Sequence, residues 1–204
     1  MNKTVEILSF WFEGLDDTKP LDKNSPAVQK WFKKDIKFDH AIQERFEDDL
    51  KKASQGKYKE WEETIKGRLS LILLFDQFPR NMYRQTSKMF AYDALALNLT
   101  FRTIREKIDA QLQLVERLFL YMPLQHAEDI QIQEMSLKHF GDLATQSKEK
   151  CPSHTPYYEY AFQYAKRHRD IIQQFGRFPH RNVILNRSST KEEIEFLERP
   201  GASF

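Results

Sequence analysis

The sequence predicts an all-α protein, and three observations support this prediction. Apolar residues recur at helical spacing along most of the chain, whereas the alternation of a half-buried strand is nearly absent. Glycine is scarce, with 6 among 204 residues. Hydrophobic residues make up 40% of the chain and aromatic residues 13%, which provides material for a packed core. We therefore expect residues 1–204 to form a single all-helical domain of about eight or nine helices.

The first half of the chain carries four predicted helices, at residues 5–12, 28–32, 35–54 and 60–78. In the third of these, Ile42, Phe46 and Leu50 recur every fourth residue, as expected for an amphipathic helix. The second half of the fourth is apolar nearly all round, which predicts a central position. Because the residue before a proline avoids the helical region, we expect Pro79 to end this helix.

The second half of the chain carries five predicted helices, at residues 90–107, 112–121, 124–145, 156–175 and 190–197. Pro123 is expected to separate the second from the third. Gly176 predicts the end of the fourth, because glycine favours the left-handed conformation that closes helices. Thr190 and Glu193 have the spacing of a capping box that opens the last one.

Charge and composition exclude several classes of function. Lysine and arginine number 32 and aspartate and glutamate 30, so the chain has too little excess positive charge for a nucleic-acid binder that neutralises many phosphates. No apolar run reaches the roughly 18 residues of a membrane span. The apolar run near the N-terminus contains Glu6 and lacks the cleavage site of a signal peptide. We expect a cytoplasmic, soluble protein with neither nucleic-acid nor membrane partners.

A single cysteine, Cys151, is present, so the chain can form no intramolecular disulfide and suits a reducing compartment. Pro152 follows it, and neither a second thiol nor an obvious base lies close in sequence. We therefore interpret Cys151 as a bystander. No glycine-rich phosphate loop occurs, and no recognised metal-ligand spacing such as His-Glu-x-x-His is present. We predict no metal site, and the sequence names no cofactor.

Two polar turns have similar sequences: LLFDQFPRN at residues 73–81 and QQFGRFPHRN at residues 173–182. In the first turn Asp76 ends an apolar helix, where the helix dipole disfavours an acid, so Arg80 and neighbouring polar groups are expected to compensate. The second turn is basic, and arginine forks suit carboxylate or phosphate groups. We hypothesise that both turns help to build one polar site.

A third polar segment, PLQHAEDIQIQ, occupies residues 123–133. On a continuous helix it would place His126, Asp129 and Gln133 on one face, where an apolar stripe should run. Glu128 lies near the expected helix start, where acids are ordinary. His168 falls on an apolar face, a position typical of a satisfied core histidine.

The motifs resemble one bacterial family over nearly the whole chain, in order. They include FDHAIQERF, LLFDQFPRN, FAYD, PLQHAEDIQIQE and FGRFPHRN, and the family is known as domain of unknown function 924. The resemblance implies an all-helical arrangement similar to tetratricopeptide superhelices, and it implies no activity. Where the family reads Leu-Asp-Gln-Phe, this chain has Phe75 before Asp76, which leaves the polar turn intact.

Twelve polar residues that match these motifs are our candidate site. The catalytic candidates are Asp76, His126, Asp129 and His180. The ligand-binding candidates are Asp39, Arg80, Asn81, Glu128, His168, Arg177, Arg181 and Asn182. Three functions compete: a pocket for a small anionic ligand with proton exchange at a histidine, a helical groove for an acidic peptide, and a buried network that only fixes helix packing. Whether the protein is an enzyme is left open.

Overall fold

The computed structural model describes residues 2–18, 21–24 and 26–202. These residues contain nine helices and no strand, which confirms the predicted all-α array. The helices are α1 (Lys3–Phe12), α2 (Pro26–Phe32), α3 (Ile36–Ser54), α4 (65–82), α5 (Asp93–Arg105), α6 (Leu114–His126), α7 (Ile130–Lys150), α8 (Thr155–Phe175) and α9 (Lys191–Leu197). A superhelix of the tetratricopeptide kind stays an expectation of the resemblance.

Helix α4 passes through Pro79, so the prediction that this proline ends the helix is wrong. The segment Lys59–Glu63 is a separate 3-10 turn, after which α4 runs as the α-helical Ile65–Ile72, a π turn at Leu73–Gln77 and the α-helical Phe78–Met82. In the π turn the Phe78 N–H bonds to the carbonyl of Leu73, five residues back. Pro79 has no N–H and its ring would collide with the preceding turn of a regular helix. The widened turn places an extra residue there, and the helix continues.

Helix α6 also passes through a proline, Pro123, and the predicted break at that residue is wrong. Residues 114–125 are all buried. Near the proline, the hydroxyl of Thr100 in α5 donates to the carbonyl of Leu120 at 2.8 Å. Proline inside a helix costs about 3 kcal/mol, and burial of α6 on all sides outweighs that cost. The chain leaves the helix only at residues 127–129.

Most of the apolar side chains form one core around α6, with fully buried aromatic residues such as Trp11, Phe46, Phe78 and Phe119. A second, much smaller cluster consists of Ile171, Ile172 and Phe178. It supports the second polar turn and α9, because Phe175 and Phe196 pack against it. Among the helices of the described ranges, none combines the length and apolar character that a membrane span requires.

Predicted helix ends agree with the structure at three positions. Asp35 begins α3, and its carboxylate accepts a hydrogen bond from the Lys37 N–H at 2.8 Å. Gly176 ends α8 with φ of 67°, in the left-handed region. Thr190 and Glu193 form the capping box that opens α9. These signals are local, so the sequence alone could show them.

Candidate functional site

Asp76 lies in the π turn of α4 and is fully buried. Its carboxylate Oδ1 is 2.7 Å from Nδ1 of His126, at the end of α6, and 3.2 Å from Nη1 of Arg80. The Gln77 amide donates to Oδ2 at 2.6 Å. Asp76 thus sits in the middle of a longer helix and not at its negative end, but the expected compensation by neighbouring cations is present.

Arg80 joins Asp76 to Asp93, the first residue of α5. Its two terminal nitrogens donate to the two carboxylate oxygens of Asp93 at 2.9 and 3.0 Å, and Nη1 also donates to the Asp76 carbonyl at 2.5 Å. The guanidinium N–H groups of Arg80 are therefore already paired with acids of the protein itself. Sequence reasoning missed Asp93, although it lies in the FAYD motif. Arg80 contributes its charge to the site and does not present an open fork to a ligand.

The electrostatics of this cluster fix the protonation of His126. Burial opposes ionisation of Asp76, but the charge of Arg80 and the hydrogen bonds from His126 and Gln77 outweigh it and hold the pKa of the carboxyl below its ordinary value. Burial first, and then the charge of Arg80, lower the pKa of His126. An ionised carboxylate can only accept, so Nδ1 of the neutral imidazole donates to Asp76. Nε2 is then left as a base, the arrangement of an aspartate-oriented histidine.

Arg181, in the second polar turn, is the most unusual cation of the structure. It is only 7% exposed, and its Nε has no hydrogen-bond partner. In the described part of the chain no carboxylate lies within ion-pairing distance of it. Its guanidinium lies over the rings of Phe90 at 4.6 Å and of Phe178 at 4.4 Å. Burial, and secondly the charge of Arg80, lower its pKa to about 10. The positive charge is held by aromatic faces instead of by an acid.

The two polar turns meet at Phe90. The guanidinium of Arg80 lies 5.7 Å from the centre of this ring and that of Arg181 lies 4.6 Å from it. Phe90 ends a short 3-10 turn, Ser87–Phe90, between α4 and α5. It was missed as a site residue, and the FAYD motif that begins with it was the available signal.

Two further histidines lie beside Arg181, around the ring of Phe178. The rings of His168 and His180 are 5.5 and 5.6 Å from that ring. Burial lowers the pKa of His168 to about 3, and burial and Arg181 lower that of His180 to about 4. His168 Nδ1 is 2.8 Å from the Tyr164 carbonyl, so the neutral ring donates within its own helix. His168 therefore has a structural partner, as its apolar position in the sequence indicated.

The remaining groups of the second turn are used to hold the C-terminal segment. Arg177 donates to both carboxylate oxygens of Glu193 at 2.7 and 2.8 Å, and Asn182 donates to the same carboxylate at 3.2 Å. Glu128 accepts from the Phe178 N–H at 2.8 Å and pairs with Arg187 at 2.5 and 2.9 Å. The predicted ligand-binding roles of Arg177, Asn182 and Glu128 are thus not supported by their geometry.

Asp39 and Asn81 likewise serve to join α3 to the end of α4. The Asn81 amide donates to Oδ1 of Asp39 at 2.8 Å. Arg84 donates to both oxygens of the same carboxylate, at 2.5 and 3.0 Å. The pair explains why an acid occupies the apolar stripe of α3, and we leave both residues out of the candidate site.

Asp129 does not share a helix face with His126, so the predicted common face is wrong. It is the N-cap of α7, and its Oδ1 accepts from the N–H groups of Gln131 at 2.8 Å and Ile132 at 3.1 Å. The fully buried Gln133 closes α6 by donating to the carbonyls of Gln125 and Ala127, both at 2.8 Å. An aspartate before a periodic run is an N-cap signature, and that signal was overlooked.

The geometry defines an all-helical protein in which a buried aspartate pairs with a histidine and with Arg80, and in which Arg80 and Arg181 lie near one phenylalanine ring. The chain belongs to the bacterial family of unknown function DUF924, whose profile matches residues 7–201. Its fold is similar to that of a protein of unknown function from Agrobacterium tumefaciens. The two are 35% identical, the match covers 96% of this chain and 97% of that chain, and the TM-score is 0.77. Among curated proteins, no match to the chain is significant.

The low pKa values of His168 and His180 predict that stability falls in acid. Unfolded imidazoles take up protons below pH 6.5, whereas the folded ones do so only near pH 3 and 4. Between those limits the unfolded chain binds more protons than the folded one. As the pH falls, each of the two imidazoles therefore lowers the free energy of unfolding by up to about 1.4 kcal/mol per pH unit. Urea unfolding from pH 7 to pH 4.5 measures how steeply the free energy of unfolding changes with pH.

His168→Gln should make this dependence shallower. His40→Gln, at an exposed histidine, is the control and should not. Equal slopes in the wild-type protein and both variants would contradict the prediction.

Proposed function

We propose that the protein binds a small anionic molecule bearing a phosphate or carboxylate group at Arg181. The supporting observation is that this buried guanidinium has no acidic partner within residues 2–18, 21–24 and 26–202. Buried charges are normally paired, because burial without a partner is costly. A ligand anion would supply the missing partner.

The surroundings of Arg181 suit a planar anion. Aromatic faces of Phe90 and Phe178 hold the guanidinium, so its N–H groups are the part available for hydrogen bonding. A carboxylate or phosphate can accept two parallel hydrogen bonds from such a fork. The guanidinium of Arg80 lies near the same Phe90 ring, 5.7 Å from its centre, but its fork is already paired with Asp93. An anion would therefore meet one guanidinium, that of Arg181, which no carboxylate of the described residues already pairs with.

We propose that His126 exchanges a proton with the bound molecule. Asp76 fixes the imidazole through Nδ1, and the side chain of His126 retains 15% exposure. Its lowered pKa keeps the ring neutral near pH 7, which is the form that a general base requires. A small ligand fits this arrangement better than an acidic peptide does, because Arg181 is buried and does not line an exposed groove.

Inorganic phosphate is the simplest probe of this proposal, together with a phosphomonoester and a dicarboxylate. At least one of them should raise the melting temperature of the wild-type protein in a concentration-dependent way, because a ligand that binds only the folded state stabilises it. Arg181→Met should abolish that response while raising the melting temperature without ligand, since an unpaired buried charge is removed.

Arg177→Met is the matched control, because Arg177 lies in the same turn but already pairs with Glu193. It should lower the melting temperature and leave the anion response in place. A wild-type protein that responds to none of the three anions would refute the proposal. An equal response in Arg181→Met and the wild-type protein would place the anion elsewhere.

A further inference from the structure

A second group of chemically reactive side chains lies at the opposite end of α6 from His126. Asp17 follows α1, Cys151 follows α7, and His154 ends the short 3-10 turn Pro152–His154 before α8. One potential ligand atom from each of them lies within 4.8 Å of the other two. The carboxylate of Asp17 is anchored on the first N–H of α6, that of Leu114. Since α6 rises about 1.5 Å per residue, roughly 18 Å separates this cluster from the Asp76–His126 pair.

His154 is the residue that points to a ligand. Its side chain is fully buried, and neither ring nitrogen has a hydrogen-bond partner among the residues that the structure describes. A neutral imidazole carries one donor and one acceptor, and leaving both unsatisfied in the interior is costly. A metal ion would take the lone pair of one nitrogen. The neighbouring Tyr158, whose ring centre is 6.4 Å away, is fully buried and also has a hydroxyl without a partner.

The other two residues complete a set of metal ligands. Cys151 is 5% exposed, and a thiolate is the ligand that zinc-like ions prefer. Asp17 accepts from the Leu114 N–H at 2.9 and 3.0 Å, which orients its carboxylate and leaves lone pairs free. Bond lengths of about 2.0–2.3 Å would place the ligand atoms about 3.5 Å apart, so atoms now within 4.8 Å of one another need to approach by about 1.3 Å at most.

We propose that Asp17, Cys151 and His154 form a binding site for a divalent transition-metal ion of the zinc type. Sulfur, nitrogen and oxygen ligands together suit zinc, and three protein ligands leave a fourth coordination position for water or for the Tyr158 hydroxyl. The interpretation of Cys151 as a bystander overlooked His154, which follows three residues later. The ion would fasten the loop after α1 to the junction of α7 and α8. This inference does not depend on the proposed anion site.

Cobalt(II) is a direct probe, because a thiolate bound to cobalt gives a charge-transfer absorption. Cys151 is the single cysteine of the chain, so such a band would report on this residue alone. Titration of the chelator-treated full chain should saturate at one equivalent of cobalt, and zinc should displace it. His154→Asn and Asp17→Asn should each weaken cobalt binding by about 10–100-fold.

His40→Asn, at an exposed histidine, is the matched control and should bind cobalt like the wild-type protein. The absence of a stoichiometric band in the wild-type protein would overturn the proposal. So would a band of unchanged affinity in both ligand variants, because the thiol would then bind the ion without the other two residues. If a variant does not fold, the wild-type protein still provides a test: zinc should raise its melting temperature and protect Cys151 from alkylation, and failure of both refutes the site.

Discussion

Replacing Asp76 by alanine should lower the free energy of unfolding by about 3–5 kcal/mol, the cost of removing one partner from a buried ion pair. His126 and Gln77 would lose their hydrogen-bond partner. Arg80 would keep its fork to Asp93 but lose the charge at 3.2 Å on its buried side. The carboxylate is fully buried, so water could not replace it without opening the π turn.

Urea unfolding at pH 7 measures this loss, and Asp48→Ala is the matched control. Asp48 also pairs with a cation one helical turn away, Lys52, but its side chain is 77% exposed. Because this pair is exposed to solvent, its removal should leave the stability nearly unchanged. A loss of less than about 1 kcal/mol in Asp76→Ala would show that the Asp76–Arg80–His126 cluster is not the buried charge network that its geometry indicates.

Replacing Phe178 by alanine should also cost about 3–5 kcal/mol, the usual loss for a fully buried aromatic residue. Phe178 is fully buried, and it forms the second apolar cluster together with Ile171 and Ile172. Its ring also carries the guanidinium of Arg181 at 4.4 Å. The variant should therefore lose anion binding together with stability.

Phe78→Ala separates these two effects, because Phe78 is the corresponding phenylalanine of the first polar turn. It is equally buried, but it packs on Phe10, Trp11 and Phe46 in the main core. It should lose as much stability in urea and retain the rise in melting temperature with anions. If both variants keep that response, the ring of Phe178 does not position Arg181.

Local signals in the sequence were sufficient to predict most of the helices. Periodicity located the helices, and Gly176 and Thr190 gave the end of one helix and the start of another. The two proline predictions failed for one physical reason. The local penalty of Pro79 and Pro123 is real, but it is offset by a π turn in one case and by burial of the whole helix in the other. Neither compensation is visible in a local pattern.

The candidate site was predictable to a smaller extent. The sequence marked Asp76 and His126 as candidates, and these two lie 2.7 Å apart in the structure. It also placed both polar turns in one hypothesis. It did not show which acid pairs with which base. Three candidate groups that look available in the sequence are already paired in the structure: Arg80 with Asp93, Glu128 with Arg187, and Arg177 with Glu193. In each pair the two residues are 13 or more positions apart. Such pairing depends on how helices pack, which the spacing of residues along the chain does not determine.

The separate support of the C-terminal segment has a consequence for how binding would be observed. The second polar turn and α9 rest on their own small apolar cluster and on the ion pairs of Arg187 and Arg177, so this segment can open while the main core stays folded. Dissolved ions weaken such pairs. A concentrated buffer would thus both loosen this segment and supply anions that compete for Arg181, so affinities measured at different ionic strengths would report two processes at once.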